Sequence, residues 1–307
     1  ADAPLHGRAQ VLLDLAPLPV AHLTAAFGPL ASAPLVEHWA AWGGVPRYWE
    51  LAAARRGSVR DRVVALALDP MGALFSEPER LLVEESPPAL EVRPVLDAIG
   101  AGAHRLSEIA GRLRRPATSL SRPLDRLVGM GLVRRETPFG EPARGGKRSL
   151  YKIDDPFLRL WFRVVAPNRA ALTAGTTASR RALLDQHWAA LVGQAWEELC
   201  RGAVTSIQRG QVASLGPWRP ALRYWHGGEP EWDLVAESQD GGRVLAGEAW
   251  FSARPVLAAS IRREAARLAN RPLPPIAGRE VVRALLVPAV AKGTPRIVGN
   301  VHVVTIA

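Results

Sequence analysis

The chain of 307 residues has one cysteine, Cys200, and three lysines, Lys147, Lys152 and Lys292. A single thiol excludes an internal disulfide framework and fits a reducing compartment. No apolar run approaches the ~18–20 residues that a membrane-spanning helix needs. The seven histidines show no zinc-ligand spacing, and no internal repeat or low-complexity tract is visible. No GxxxxGK[ST] loop occurs, so nothing in these residues can cradle a triphosphate by that device. The opening residues, ADAPLHGR, offer neither an initiator methionine nor a charged-then-apolar signal. An internal or processed start is expected, in a cytoplasmic chain without a membrane partner.

Apolar residues make up 48% of the chain, enough for packed cores, and the length points to two or more domains. The formal charge is +10, carried almost wholly by arginine. Residues 86–153 hold thirteen Arg and Lys against six Asp and Glu, so most of the excess falls in less than a quarter of the chain. A localised basic cluster is the electrostatic footprint of phosphate contact.

That cluster coincides with the clearest pattern in the sequence. Leu106, Ile109, Ala110 and Leu113 fall at helical spacing, and a polar turn follows at residues 116–119. Leu120, Leu124, Leu127 and Val128 then form a second helical stripe. Gly129 and Gly131 end it. Two strand-like runs around a Gly/Pro-rich loop, from Leu132-Val133 to residues 149–153, read as a hairpin. Helix, turn, helix and hairpin make a winged helix-turn-helix. In that arrangement the second helix enters the major groove of DNA. Its polar side offers Ser119, Ser121, Arg122 and Arg126 to the bases and backbone, and the wing offers Arg144, Lys147 and Arg148 to phosphate. Pro123 would bend the helix if it lay well inside it. Winged helices also dock proteins, so an interaction scaffold remains an alternative.

Upstream, residues 20–85 read as helical, with a Gly43-Gly44 break and a capping start at Ser58. Residues 11–15 read as a short strand, and ESPPALEVRP reads as a connector. Downstream, a helix is expected over residues 183–200. Strands are expected over 221–225, 232–236, 244–249, 281–288 and 297–306, with a helix over 261–269. Trp39, Trp42, Trp161 and Trp196 sit among apolar residues at helical spacing and belong to cores. Cys200 lacks any activating neighbour motif and reads as an inert buried thiol.

Three segments, GGVPRYWE, YKIDDPFLRLWFRVV and EWDLVA…GEAW, resemble in that order the C-terminal portion of archaeal-type P-loop ATPases of the AAA-plus/STAND-like kind. The resemblance implies an α+β multidomain fold. The end of an ATPase core and a helical lid would occupy residues 1–85, the winged helix-turn-helix 86–153, and a PD-(D/E)XK-nuclease-like α/β domain 154–307. It implies DNA and an upstream ATPase core, or self-association, as partners, and ATP only through that upstream core. Arg8, in APLHGR, is by resemblance a sensor or arginine finger.

For the nuclease-like domain the resemblance implies Asp233 and Glu248 as catalytic acids that hold Mg²⁺, with Glu197 as a helical acid. Trp250 stands where the family often carries lysine. An indole can neither supply that charge nor donate the needed proton. Arg254 holds its proton too tightly to replace it. The expectation is a DNA-binding, regulatory part of a P-loop ATPase with a degenerate nuclease site. A metal-dependent nuclease with an altered site is the enzymatic alternative.

Overall fold

Short, capped helices fill the first part of the chain, and two close backbone approaches hold them together. The structure is a computed structural model and describes residues 15–85, 89–142, 148–207, 211–274, 276 and 278–306. The strand expected at residues 11–15 falls almost wholly outside them. Helices α1 (Leu23–Phe27), α2 (Ser32–Trp42), α3 (Pro46–Ala53) and α4 (Val59–Val63) follow one another, and α4 runs on as a π-helical turn, Val64–Leu68. Ser58 starts α4 through a capping box with Asp61, as its spacing predicts. Gly43 ends α2 at φ +57, and a Cβ there would lie 2.2 Å from Asp155 Oδ2. Its carbonyl accepts the Trp49 indole N–H at 2.9 Å. A Cβ on Gly44 would meet the Leu18 carbonyl at 2.6 Å. The glycine pair in GGVPRYWE is therefore a packing device that brings DDPFLRLWFRVV against the helical region, with Tyr48 and Phe157 ring centroids 4.6 Å apart.

Asp155 caps α9 (Pro156–Leu160), accepting the Leu158 amide at 2.9 Å. Burial raises its pKa to about 6. Because the folded value lies above the unfolded one, the folded state binds more protons between about pH 4 and 6. Stability from this group is therefore greatest below that window and falls as pH rises through it, by about 3 kcal/mol for a two-unit shift. Asp155→Asn retains an oxygen for the Leu158 amide without the charge. Chemical denaturation at pH 4.5 and 7 should show a smaller loss on going to pH 7 in the variant than in the parent. Equal losses would remove Asp155 from the pH dependence.

Helix α5 (Glu77–Glu85) leads to the winged module, which opens with α6 (Ala89–Gly100). The stretch expected as a connector is thus largely helix. Its prolines mask the apolar stripe Val92, Val95, Leu96 and Ile99, all buried. Helices α7 (Leu106–Leu113) and α8 (Ser121–Gly129), the latter preceded by a 3₁₀ turn, Ala117–Leu120, form the helix-turn-helix. Pro123 falls in the first turn of α8, where the missing N–H has no helical partner to lose. Strands β1 (Val133–Glu136) and β2 (Leu150–Ile153) pair antiparallel as the wing.

Beyond α9 and α10 (Arg169–Ala174), the long α11 (Thr177–Ala203) leads through α12 (Gln211–Ser214) to a six-stranded sheet. Its strands are β3 (Leu222–Tyr224), β4 (Trp232–Glu237), β5 (Arg243–Ala249), β6 (Glu280–Val287), β7 (Ile297–Val298) and β8 (Val301–Thr305), in spatial order β3-β4-β5-β6-β8-β7. β3, β4 and β5 are antiparallel neighbours, whereas β5, β6 and β8 run parallel, with α13 (Ala258–Ala269) crossing from β5 to β6. The run expected as one strand over 297–306 folds back as the β7–β8 hairpin, because Gly299 takes φ +59.

The fold is α+β and multidomain. One apolar core runs from the first helices through the winged module to α11 and one face of the sheet. A second core lies between the other face and α13. Trp42, Trp161 and Trp196 are fully buried, and Trp39 is half-buried beside them. Among the described residues, no helix is long and apolar enough to cross a membrane.

Candidate functional site

The helix-turn-helix takes its shape from local hydrogen bonds. Glu108 Oε2 accepts the backbone N–H groups of His104 and Arg105, at 2.9 and 3.0 Å, at the start of α7. These bonds hold its carboxyl below the usual carboxylate range. The helix ends on Arg114 in the left-handed region, φ 52, and the Arg115 amide returns to the Ala110 carbonyl at 3.1 Å. The Ser119 hydroxyl donates to the Pro116 carbonyl at 2.7 Å, closing the turn before α8. Inward, Ile109, Leu120, Leu124 and Leu127 are at most 1% exposed.

Outward, Arg112, Arg114, Arg115, Ser119, Ser121, Arg122, Asp125 and Arg126 are all exposed. Arg112 donates to the Ala101 carbonyl at 3.1 Å. Among the described residues, Arg114, Arg115, Arg122 and Arg126 enter no ion pair. Arg93, Arg134, Arg169, Arg180 and Arg181 each hold a carboxylate, whereas Arg55, Arg56, Arg254, Arg262 and Arg263 are exposed and, among the described residues, likewise enter no ion pair. Apolar spacing gives no sign of the turn arginines, Arg114 and Arg115. They sit exposed in the turn between the two helical stripes.

The wing is placed differently. Arg148 pairs with Glu141 at 2.9 Å, and its carbonyl accepts the Trp225 indole N–H at 3.2 Å. The Phe139 amide donates to the Arg223 carbonyl on edge strand β3 at 2.7 Å. The described part of the wing is thus seated on the sheet domain. Arg144 and Lys147 of the wing, and Arg8 near the start, lie outside the described residues.

Asp233 acts electrostatically on both Glu197 and Glu248. Leu222 pairs with Val235 and Tyr224 with Trp232, so β4 has one extra residue opposite β3, a bulge at residues 233–234. Asp233 Oδ2 accepts the Ala249 amide at 2.9 Å. Burial, with the Asp233 charge second, pushes the carboxyls of Glu197 and Glu248 up. Both Glu248 oxygens are engaged, Oε1 by Arg267 at 3.2 Å and Oε2 by Arg271 in a short ion pair. Arg271 also lies over the Trp232 ring, 5.3 Å from its centroid.

These residues do not fit Mg²⁺, because guanidinium groups hold the carboxylate that would ligate it. Among the described residues, no three His, Cys, Asp or Glu side chains are grouped so as to hold a metal ion. Trp250 is half-buried against the second core, and Arg254 sits exposed in the turn ahead of α13. Cys200 is fully buried, and burial pushes its thiol well above the ordinary range, as an inert thiol requires.

A lysine does reach one of these acids, Glu197, from a direction that spacing could not show. Lys152 on β2 is buried, pairs with Glu136 at 3.1 Å and acts electrostatically on Glu197. Arg134 joins the same junction, bonding Asp154 at 2.8 Å and, in a short ion pair, Glu198, which also holds Arg159 at 2.9 Å.

An uncharacterized protein of Methanocaldococcus jannaschii is 29% identical over 173 residues, 56% of this chain and 38% of that protein. The matched region is thus about two fifths of the relative's length. No solved structure matches the chain. Residues 161–263, from the end of α9 through α11 and the first strands into α13, match the family DUF234, described as archaea bacterial proteins of unknown function.

Proposed function

We propose that the chain is a DNA-binding, regulatory part of a larger protein, with the winged module as its contact to duplex DNA. The observation that carries this reading is the set of exposed arginines of the helix-turn-helix, Arg114, Arg115, Arg122 and Arg126, which have no carboxylate partner among the described residues. An unpaired guanidinium has no ion pair to break when it meets a phosphate, so it contributes its full counterion release. Ser119 and Ser121 on the same face add short donors for base edges or backbone. A gel shift of the chain on random duplex at moderate salt tests the reading. Absence of a salt-dependent shift would leave the module as a protein-docking scaffold.

Resemblance of the flanking segments to P-loop ATPases, and a relative much longer than the matched region, support a nucleotide-binding core elsewhere in the full protein. The β5–α13–β6 crossover and the acids on β4 and β5 support kinship of the sheet domain with PD-(D/E)XK nucleases. Its chemistry is read as absent. A lysine-less strand end and an arginine-clamped Glu248 leave neither a free metal-ligating carboxylate on β5 nor a lysine at the usual position to orient the attacking water. Supercoiled plasmid incubated with the chain and Mg²⁺ or Mn²⁺ should therefore remain supercoiled. Nicking that vanishes in Asp233→Ala would restore the nuclease reading.

A further inference from the structure

A cavity of about 380 Å³ opens where the winged module meets the sheet domain. Gly102 and His104 line it from the α6–α7 turn, Lys152 from β2, Gln194 and Glu197 from α11, and Arg223 from β3. Neither the DNA-facing arginines nor the clamped Glu248 take part in it.

Its charged walls are two cations, Lys152 and Arg223, and two carboxylates, Glu108 and Glu197. The Lys152 side chain is 6% exposed and, among the described residues, has one carboxylate partner, Glu136 at 3.1 Å, for an ammonium with three N–H donors. Arg223, itself largely buried, reaches the same Glu136 only at 4.0 Å and otherwise the exposed Glu231 at 3.1 Å. Neighbouring Arg201 is largely buried; its Nη1 donates to the Asp233 carbonyl at 2.8 Å, and its Nη2 has no hydrogen-bond partner among the described residues. Of the acids on the wall, Glu108 is spent on two backbone N–H groups. Burial, with the Asp233 charge second, pushes the Glu197 carboxyl up, and the Arg201 guanidinium lies 3.8 Å from it. Gln194 adds a neutral amide. Several donors converging from three elements, two of them cationic, suit a tetrahedral oxyanion with several acceptor oxygens. The volume falls in the range of small-ligand pockets, roughly 300–1,000 Å³.

We propose that this cavity binds a phosphate monoester no larger than a mononucleotide, held by Lys152 and Arg223 as cations and by Gln194 as a neutral donor. Such a ligand bridges the winged module and the sheet domain, because its partners come from β2, α11 and β3. The site stands apart from the DNA reading and does not depend on it.

Isothermal titration and thermal melting of the chain with inorganic phosphate, adenosine 5′-monophosphate and adenosine test the proposal. Phosphate or the nucleotide should bind saturably and raise Tm, whereas adenosine should do neither. A response to phosphate alone would mark a free-anion site, and a tighter response to the monophosphate a nucleotide site; both support the proposal. Lys152→Met removes the charge and keeps the length of the stem. Gln194→Trp fills the space and leaves both cations in place. Each should weaken binding at least tenfold, with circular dichroism as the check that the variant is folded. Absence of saturable binding by either phosphate probe, adenosine binding as tightly as its monophosphate, or unchanged affinity in both folded variants would each overturn the proposal.

Discussion

Reversing Arg122 and Arg126 together to glutamate should lower affinity for duplex DNA about 100-fold near 0.1 M salt. It should also flatten the slope of log K against log[salt] by about two units, roughly 0.9 for each phosphate that the protein no longer neutralises. Both guanidinium groups stand exposed on α8 without an ion-pair partner among the described residues, so the change touches no structural contact. Arg55 and Arg56, exposed in the helical region, provide the control of equal net charge. Reversing that pair alters the overall charge by the same amount and should shift affinity only a few-fold. Fluorescence anisotropy over a salt series measures both quantities. Equal losses in the two double variants would show that net charge, and not the α8 face, drives binding.

The second large effect concerns stability. Trp161→Ala should cost about 3–5 kcal/mol, the range for deleting a buried aromatic. Trp161 is fully buried, donates its indole N–H to the Phe75 carbonyl at 2.9 Å and meets Phe162 edge-on at 5.0 Å. Arg93 lies over the ring at 5.1 Å and also pairs with Glu79 and Asp97. One side chain therefore ties the π-helical turn after α9 to the α4–α5 segment and to α6. Trp161→Phe keeps much of the packing but leaves the Phe75 carbonyl unpaired and should fall between the two. The midpoint of guanidinium unfolding checks this, and a loss below 1 kcal/mol in the alanine variant would contradict it. Against a total stability of roughly 5–15 kcal/mol, the expected loss is a large fraction.

Periodicity explains which parts of the fold are legible in the sequence. The stripes of α7 and α8, the wing strands and the sheet strands each declare themselves within a few residues, because apolar spacing at 3.6 or 2.0 is a local signal. Helix α6 escapes that signal, because a Pro-Pro pair and Pro94 suggest a connector although its apolar face is already in place. The single run at 297–306 hides a hairpin whose only mark is Gly299. The acids Asp233 and Glu248 can be named from their motif. Their occupancy cannot, since the guanidinium of Arg271 comes from 23 residues beyond Glu248. Lys152 is remote from Glu197 along the chain, separated from it by α9, α10 and much of α11, yet both line one cavity.

By itself the sequence determined the helix-turn-helix, the concentration of arginine upon it, the strand-rich end of the chain and the want of a lysine at Trp250. Each follows from composition or spacing, which need no partner to be read. Tertiary structure alone decided which charges are already spent. It seated the described part of the wing on β3, closed arginines over Glu248 and, among the described residues, left Arg114, Arg115, Arg122 and Arg126 without carboxylates. Whether a charged side chain is free or paired depends on what packs against it from distant parts of the chain, and ion pairs and burial carry no local period.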